Sequence, residues 1–275
     1  MSTKRAMPDP ELRKLAIVPA LNEAGMVGRV IRDVRRHAPD FDIVVVDDGS
    51  TDTTAAHARA QGAVVIAHPF NLGIGGAMQS GYKYALSHAY DVAVQVDGDG
   101  QHKPSHIHDL LAKLETEGPE ADMVTGSRFL GDPGYRVPLG RRAGNLIFAA
   151  VLTTLTRQRV TDPTSGFRMV NRRGIELFAR DYPHDYPEVE AILMLHAHRL
   201  RLHEVHVEMN QRGYGRSSIN YPQSAYYMVK VLLAIFIGLL RRRPTPIEAQ
   251  GTEELGIGPP PDTEELKALA EGRRP

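Results

Sequence analysis

Four short apolar runs, at residues 15–19, 43–46, 64–67 and 92–96, alternate with stretches of helical periodicity, and this alternation constrains the fold most. Runs this short, rich in Val, Ile and Ala and without polar alternation, suit strands buried on both faces of a parallel sheet. Between the first two, residues 24–37 place Val27, Val30, Ile31 and Val34 on one helical face, and residues 53–61 and 76–89 follow the second and third runs. Strand and helix in alternation give an α/β fold with right-handed crossovers. Ligands of such sheets gather beyond the carboxyl ends of the strands. Here those ends read Pro19-Ala20-Leu21-Asn22-Glu23, Asp47-Asp48-Gly49-Ser50 and Asp97-Gly98-Asp99-Gly100-Gln101. Three polar clusters thus converge on one rim.

Beyond Arg128 the pattern loosens. Residues 131–140 form a Gly/Pro-rich loop before a helix at 144–156, and the turn Asp162-Pro163-Thr164-Ser165-Gly166 leads to a strand at 167–170. Helices at 172–178 and 189–199 precede a strand at 203–209. Residues 14–220 are expected to form one domain. Residues 1–13 are polar, carry Pro8 and Pro10 and lack an apolar signal core, which favours a flexible N-terminus and a cytoplasmic chain. Residues 244–275, rich in Pro, Gly and Glu, are expected to be a disordered tail or tether. Equal numbers of basic and acidic residues, 33 each, argue against a nucleic-acid partner. The absence of cysteine excludes disulfides, thiolate catalysis and cysteine-bound zinc.

Within 221–243, residues 226–240 are strongly apolar but contain Lys230 and are too short for a span of about 20 residues. With tyrosines near one end and Arg241, Arg242 and Arg243 after the other, the stretch suits a helix at a membrane interface. Docking on a small membrane-protein partner, packing on the domain and a homo-oligomer contact are the alternatives.

Asp97 and Asp99 flank Gly98 at a strand end, so both carboxylates can reach one cation, and hard oxygen ligands suit Mg²⁺ or Mn²⁺. The loop is not an EF-hand, because the sixth and twelfth positions from Asp97 are His102 and His108. His102, His106 and His108 are expected to be solvated, with His106 in the first turn of a helix started by Pro104. The glycine loop Asn71-Leu72-Gly73-Ile74-Gly75-Gly76-Ala77 lacks the Gly-Lys-Ser/Thr of a P-loop, and Met78 stands where a dinucleotide fingerprint has its third glycine. Its glycines either let backbone approach a ligand or make a tight turn into a helix whose N-terminus favours an anion.

Five motifs in order, Asp47-Asp48-Gly49-Ser50-Thr51-Asp52, the glycine loop, residues 97–101, Gly126-Ser127-Arg128 and Ser165-Gly166-Phe167-Arg168, resemble family 2 glycosyltransferases of the GT-A fold. The match spans residues 15–220 and points to the dolichol/polyprenyl-phosphate mannosyl- and glucosyltransferase-like branch. The resemblance implies a Rossmann-like, mostly parallel sheet with flanking helices. It implies that Pro19, Leu21 and Glu23 contact the nucleotide, with Val46 and Asp48 beside base and ribose, and Gly73 and Gly98 in the lining. Asp97 would meet the nucleotide or the metal, and Asp99 and Gln101 would hold the metal against the diphosphate. Arg128 would pair with phosphate, and Arg212, within Arg212-Gly213-Tyr214-Gly215-Arg216-Ser217-Ser218, would reach it from a closing loop. Arg141 or Arg142 would bind an acceptor phosphate. Two positions depart from the family: Leu21 replaces an aromatic residue, and Ser218 a frequent lysine.

The reaction so implied is inverting transfer of a hexose from a GDP-mannose- or UDP-glucose-type donor to a polyprenyl phosphate, at the cytoplasmic face of the membrane. A phosphate acceptor needs no strong base, whereas the hydroxyl of a soluble glycan or small molecule does. Asp162, Glu188 and Glu190 are the candidates, Glu190 matching best. A non-catalytic sugar-nucleotide-binding subunit is the reading of another class.

Overall fold

Strands β1 (Lys14–Ala20), β2 (Phe41–Asp47), β3 (Val64–Ala67) and β4 (Val92–Gln95) coincide with the four apolar runs. The computed structural model describes residues 12–131, 139–184 and 186–210, with Lys230. β1 pairs in parallel with both β2 and β4, and β2 with β3. Beyond β4 lie β6 (Arg168–Asn171), β5 (Met123–Ser127) and β7 (Leu202–His206), in the order β3-β2-β1-β4-β6-β5-β7. Among the described strands only β6 runs against its neighbours: it is antiparallel to β4 and β5, whereas β5 and β7 are parallel.

Alternate residues of each inner strand feed opposite faces, as the pleat requires. Leu15 and Ile17 of β1 join a core with Val44, Met78 and Phe178, while Ala16 and Val18 join one with Val45, Ile31 and Leu110. Helix α1 (Val27–His37) inserts Val27, Val30, Ile31 and Val34, the stripe anticipated from periodicity. The remaining helices are α2 (Thr54–Ala60), α3 (Gly73–Ser87), α4 (Ile107–Glu117), α5 (Leu139–Thr156), α6 (Arg172–Arg180) and α7 (Pro187–Ala197). α3 starts three residues earlier than its apolar pattern suggests, because Gly73 takes φ +82° and turns the chain into the helix. The last strand stops at His206, short of residue 209; past it only Met209 pairs, through an isolated bridge to His102.

Among the described residues no helix is long and apolar enough to cross a membrane. The apolar stretch 226–240, apart from Lys230, lies outside the described residues, as do the N-terminal segment 1–11, the tail 244–275 and the loop holding Arg212 and Arg216. Arg141 and Arg142 sit in the first turns of α5, with side chains outside the description.

Candidate active site

The strand order reverses between β1 and β4, and the carboxyl ends there are packed as tightly as backbone allows. Gly98 N–H donates to Pro19 C=O at 3.2 Å, and a Cβ on Gly98 would lie 2.9 Å from that oxygen. Only glycine lets the acidic loop rest on the end of β1. The first polar cluster is laced to the second. Asn22, with φ +55°, accepts Thr51 N–H at 2.9 Å, and Thr54 Oγ1 accepts Glu23 N–H at 2.8 Å. Pro19 is buried and Leu21 is exposed. Val46 is wholly buried in the core, so only its backbone can face a ligand. Asp48 is nearly buried at the end of β2, where its Oδ1 accepts bonds from His68 Nδ1 at 2.8 Å and Leu72 N–H at 2.9 Å.

The acidic loop carries its own braces. Asp97 Oδ1 accepts from Gln95 Nε2 at 2.9 Å, and its side chain stays 32% exposed. Asp99 accepts Gln101 N–H at 3.0 Å, and the Gln101 amide nitrogen donates to its other oxygen. Asn210 reaches back across the loop, donating to Gly100 C=O at 3.1 Å and Gln101 C=O at 2.9 Å. The expectation of solvated histidines holds for His108, which is exposed beside Asp40, but fails for His102. His102 is buried, its ring stacked on Phe167 at 4.8 Å, and its Nδ1 accepts the Asp97 N–H at 3.0 Å. The proton of the neutral ring therefore sits on Nε2, 3.5 Å from Asp97 Oδ2. His106 bonds Asp109 at 2.7 Å in the short turn before α4.

The donors fit a hard divalent cation. Asp97 and Asp99 offer oxygens alone, and the Asp97 side chain is partly exposed. Among the described residues no three His, Asp or Glu converge as a cage, so the coordination would be completed by substrate oxygens and water, as Mg²⁺ and Mn²⁺ accept. Gln101 meets Asp99 through its amide nitrogen, which leaves its amide oxygen as the atom that would serve a cation.

Arg128 follows β5 and is held in a fork: Nε and Nη2 meet the two oxygens of Asp162 at 2.6 and 2.7 Å, and Nη2 meets Thr164 Oγ1 at 2.8 Å. Asp162 is wholly buried. It is therefore a positioning residue for Arg128 and is badly placed to take an acceptor proton. Below it Glu204 accepts the N–H groups of Thr161 and Asp162 at 2.9 and 3.0 Å; burial raises its pKa, opposed by those same bonds.

Sequence reasoning did not single out Arg168 as a group that shapes the site. It is wholly buried, and among the described residues its guanidinium donates to carbonyls, those of Pro163, Ser165, Pro187 and Glu188. It thereby ties the turn before β6 to the start of α7. Glu188 sits there, its pKa raised by burial; Arg168 opposes the rise and Asp97 adds to it. Those charges put Glu188 within electrostatic reach of the acidic loop. Glu190, one half-turn on, is partly buried.

The glycine loop serves the protein itself at two positions. A Cβ on Gly75 would lie 2.3 Å from Pro183 C=O, and one on Gly76 2.6 Å from Leu72 Cβ. Gly73 alone faces open space.

The sequence model of glycosyl transferase family 2 matches residues 15–178. The UDP-N-acetylglucosamine–dolichyl-phosphate N-acetylglucosaminyltransferase of Methanococcus voltae is 28% identical over 70% of this chain and 83% of its own length. The undecaprenyl-phosphate mannosyltransferase of Micrococcus luteus is 33% identical over 57% of this chain and 65% of its own. In structure the chain is similar to glucosyl-3-phosphoglycerate synthase from Mycobacterium tuberculosis crystallised with Mn²⁺ and UDP-glucose, at a TM-score of 0.60 and 21% identity over 83% of this chain and 79% of that one. That likeness carries the fold. The chain is a glycosyltransferase: it belongs to glycosyl transferase family 2, with the GT-A fold, on the dolichol/polyprenyl-phosphate branch.

Proposed function

We propose that the chain transfers a hexose, with inversion, from a nucleotide diphosphate sugar to a polyprenyl phosphate. The observation that carries this reading is the single rim on which Asp48, the Asp97–Asp99 loop and the Asp162-braced Arg128 gather. The named activities of the two relatives, both on polyprenyl-type phosphates, support the acceptor class.

Each part has a task. Asp48 and the loop at Leu21 receive the nucleoside. Asp97 and Asp99 hold Mg²⁺ or Mn²⁺, which when bound neutralises charge on the departing diphosphate. Arg128, held in a fixed orientation by the Asp162 fork, is the cation that would meet phosphate, since a preorganised charge makes electrostatic stabilisation effective. A phosphate acceptor is already an anion and attacks without a base. A hydroxyl acceptor would need one, and Glu188 and Glu190, both partly buried at the start of α7, are the candidates; burial raises the Glu188 pKa and Asp97 adds to the rise. Work on a polyprenyl phosphate places the chain at the inner face of the membrane, and the apolar stretch 226–240 is the segment to meet it.

The test is incubation with radiolabelled UDP-glucose, UDP-N-acetylglucosamine or GDP-mannose, polyprenyl phosphate in detergent, and Mn²⁺ or Mg²⁺. Organic-extractable label that disappears with chelator is expected. Label in aqueous product alone rejects the lipid acceptor, and turnover of no nucleotide sugar rejects the donor.

A further inference from the structure

Asp48 reaches the rim with half of its carboxylate already committed. Its Oδ1 accepts two N–H groups, from His68 Nδ1 at 2.8 Å and Leu72 at 2.9 Å. A carboxylate only accepts, so His68 carries its proton on Nδ1. The far nitrogen, Nε2, meets Ser80 Oγ on α3 at 2.9 Å, which fixes the ring. The His68 and Asp48 side chains are only 9% and 5% exposed, so water competes little for these bonds. Asp48 Oδ2 has no protein partner among the described residues, nor is it one of their sealed, unpartnered polar atoms. The Asp48 N–H is spent on Ala20 C=O at 2.9 Å, which holds the residue beside the end of β1 and the exposed Leu21.

We infer that His68 and the Leu72 N–H together reduce Asp48 to a single free acceptor, so that the site selects uracil over guanine in the donor nucleotide. This rests on the reading above in which Asp48 receives the nucleoside. Uracil presents one N–H, between two carbonyls, and one carboxylate oxygen satisfies it. Guanine presents N1–H and an amino group side by side, a pair that a carboxylate meets by offering both oxygens in parallel, as it does for a guanidinium. With Oδ1 turned to His68 and Leu72, one guanine donor enters a mostly buried corner unpaired, and an unmet donor is what discriminates most strongly between ligands. The loop from His68 to Leu72 is therefore a specificity element. Gly49, at φ +77°, permits its approach: a Cβ there would lie 2.7 Å from the Phe70 carbonyl carbon.

Calorimetric titration of the full chain with UDP, GDP, CDP and ADP in Mn²⁺ tests the inference. UDP is expected to bind about tenfold or more tighter than GDP, the scale of one well-placed donor–acceptor match. His68→Ala frees an acceptor site on Oδ1 and should shrink the UDP/GDP ratio by about threefold or more, against about one kcal/mol for a hydrogen bond. His68→Asn, whose amide can donate from near the Nδ1 position, should restore the ratio. A merely structural His68 would weaken all four nucleotides together and leave the ratio unchanged, which overturns its role. GDP, CDP or ADP binding as tightly as UDP overturns the inference while leaving a nucleotide-sugar site in place. Binding of none of the four refutes that site itself. If His68→Ala does not fold, the wild-type ranking and His68→Asn decide.

Discussion

From β1 to β4 the rim is made by regular parallel strands that run out into polar loops, whereas from β5 to β7 it is made by buried charge. In the first region the core beneath is apolar, and the carboxylates of the rim stand where the strands stop, at Asp47, Asp48, Asp97 and Asp99. In the second, the buried Asp162 and Arg168 and the partly buried Glu204 hold one turn in place through backbone groups. A buried ion pair is worth little net, yet losing one partner is costly, because the other charge stays behind. The first region should therefore tolerate loss of a rim carboxylate with its fold intact. The second should lose fold and chemistry together.

The sharpest trial is Asp99→Ala. It should lower turnover by about a thousandfold, the scale of a lost electrostatic group in an active site, while the denaturant midpoint hardly moves. A large fall in stability would break the contrast. Asp162→Ala should cost about 3 kcal/mol in equilibrium unfolding, since it strands the Arg128 guanidinium, whose side chain is only 16% exposed. A neutral result there would mean that Arg128 swings freely to solvent. Gly75→Ala carries the comparison to the seam between the halves, where a methyl group meets Pro183 C=O at 2.3 Å and His184 Cα at 2.6 Å. Overpacking there should cost about 2 kcal/mol by the same measurement.

The smallest effect is a slope. Burial raises the Glu188 pKa above its ordinary 4.5, so the folded chain holds that proton more tightly than the unfolded one. The resulting stability is full below 4.5 and is lost as pH rises through the raised value. Glutamine stays neutral, so Glu188→Gln should gain on the wild type across that interval and run parallel to it below. Melts taken from pH 4 to 8 would register the divergence; parallel curves throughout would remove Glu188 from the buried network.

The contrast also explains what could be read in advance. Val, Ile and Ala in short runs announced β1 to β4, because a strand covered on both faces needs little but apolar bulk. β5, with Met123-Val124-Thr125-Gly126-Ser127, is equally buried but half polar, and it was legible only as a motif leading to Arg128. His102 sits in a polar turn that looks solvated, and Phe167, just before β6, and Met209, beyond β7, come from distant segments to cover it. Asp162 has the appearance of a turn residue, and nothing local reveals that a guanidinium fills its environment. The glycines at 75 and 76 left a ligand approach and a tight turn into a helix equally open, and in the fold they make room for residues 183–184 and Leu72. Periodicity reports which face is apolar; it carries no signal for a polar group whose partner arrives from a distant segment.

The lone reversed strand has an architectural consequence. Because β6 points the other way, its beginning lies level with the finish of β4, Met169 opposite Val94, and the preceding turn arrives where its neighbours leave. A co-directional β6 would carry that turn to the opposite edge, about 13 Å away for four residues of strand. One inverted segment thus gives the rim an extra loop, anchored from behind by Arg168 and Glu204.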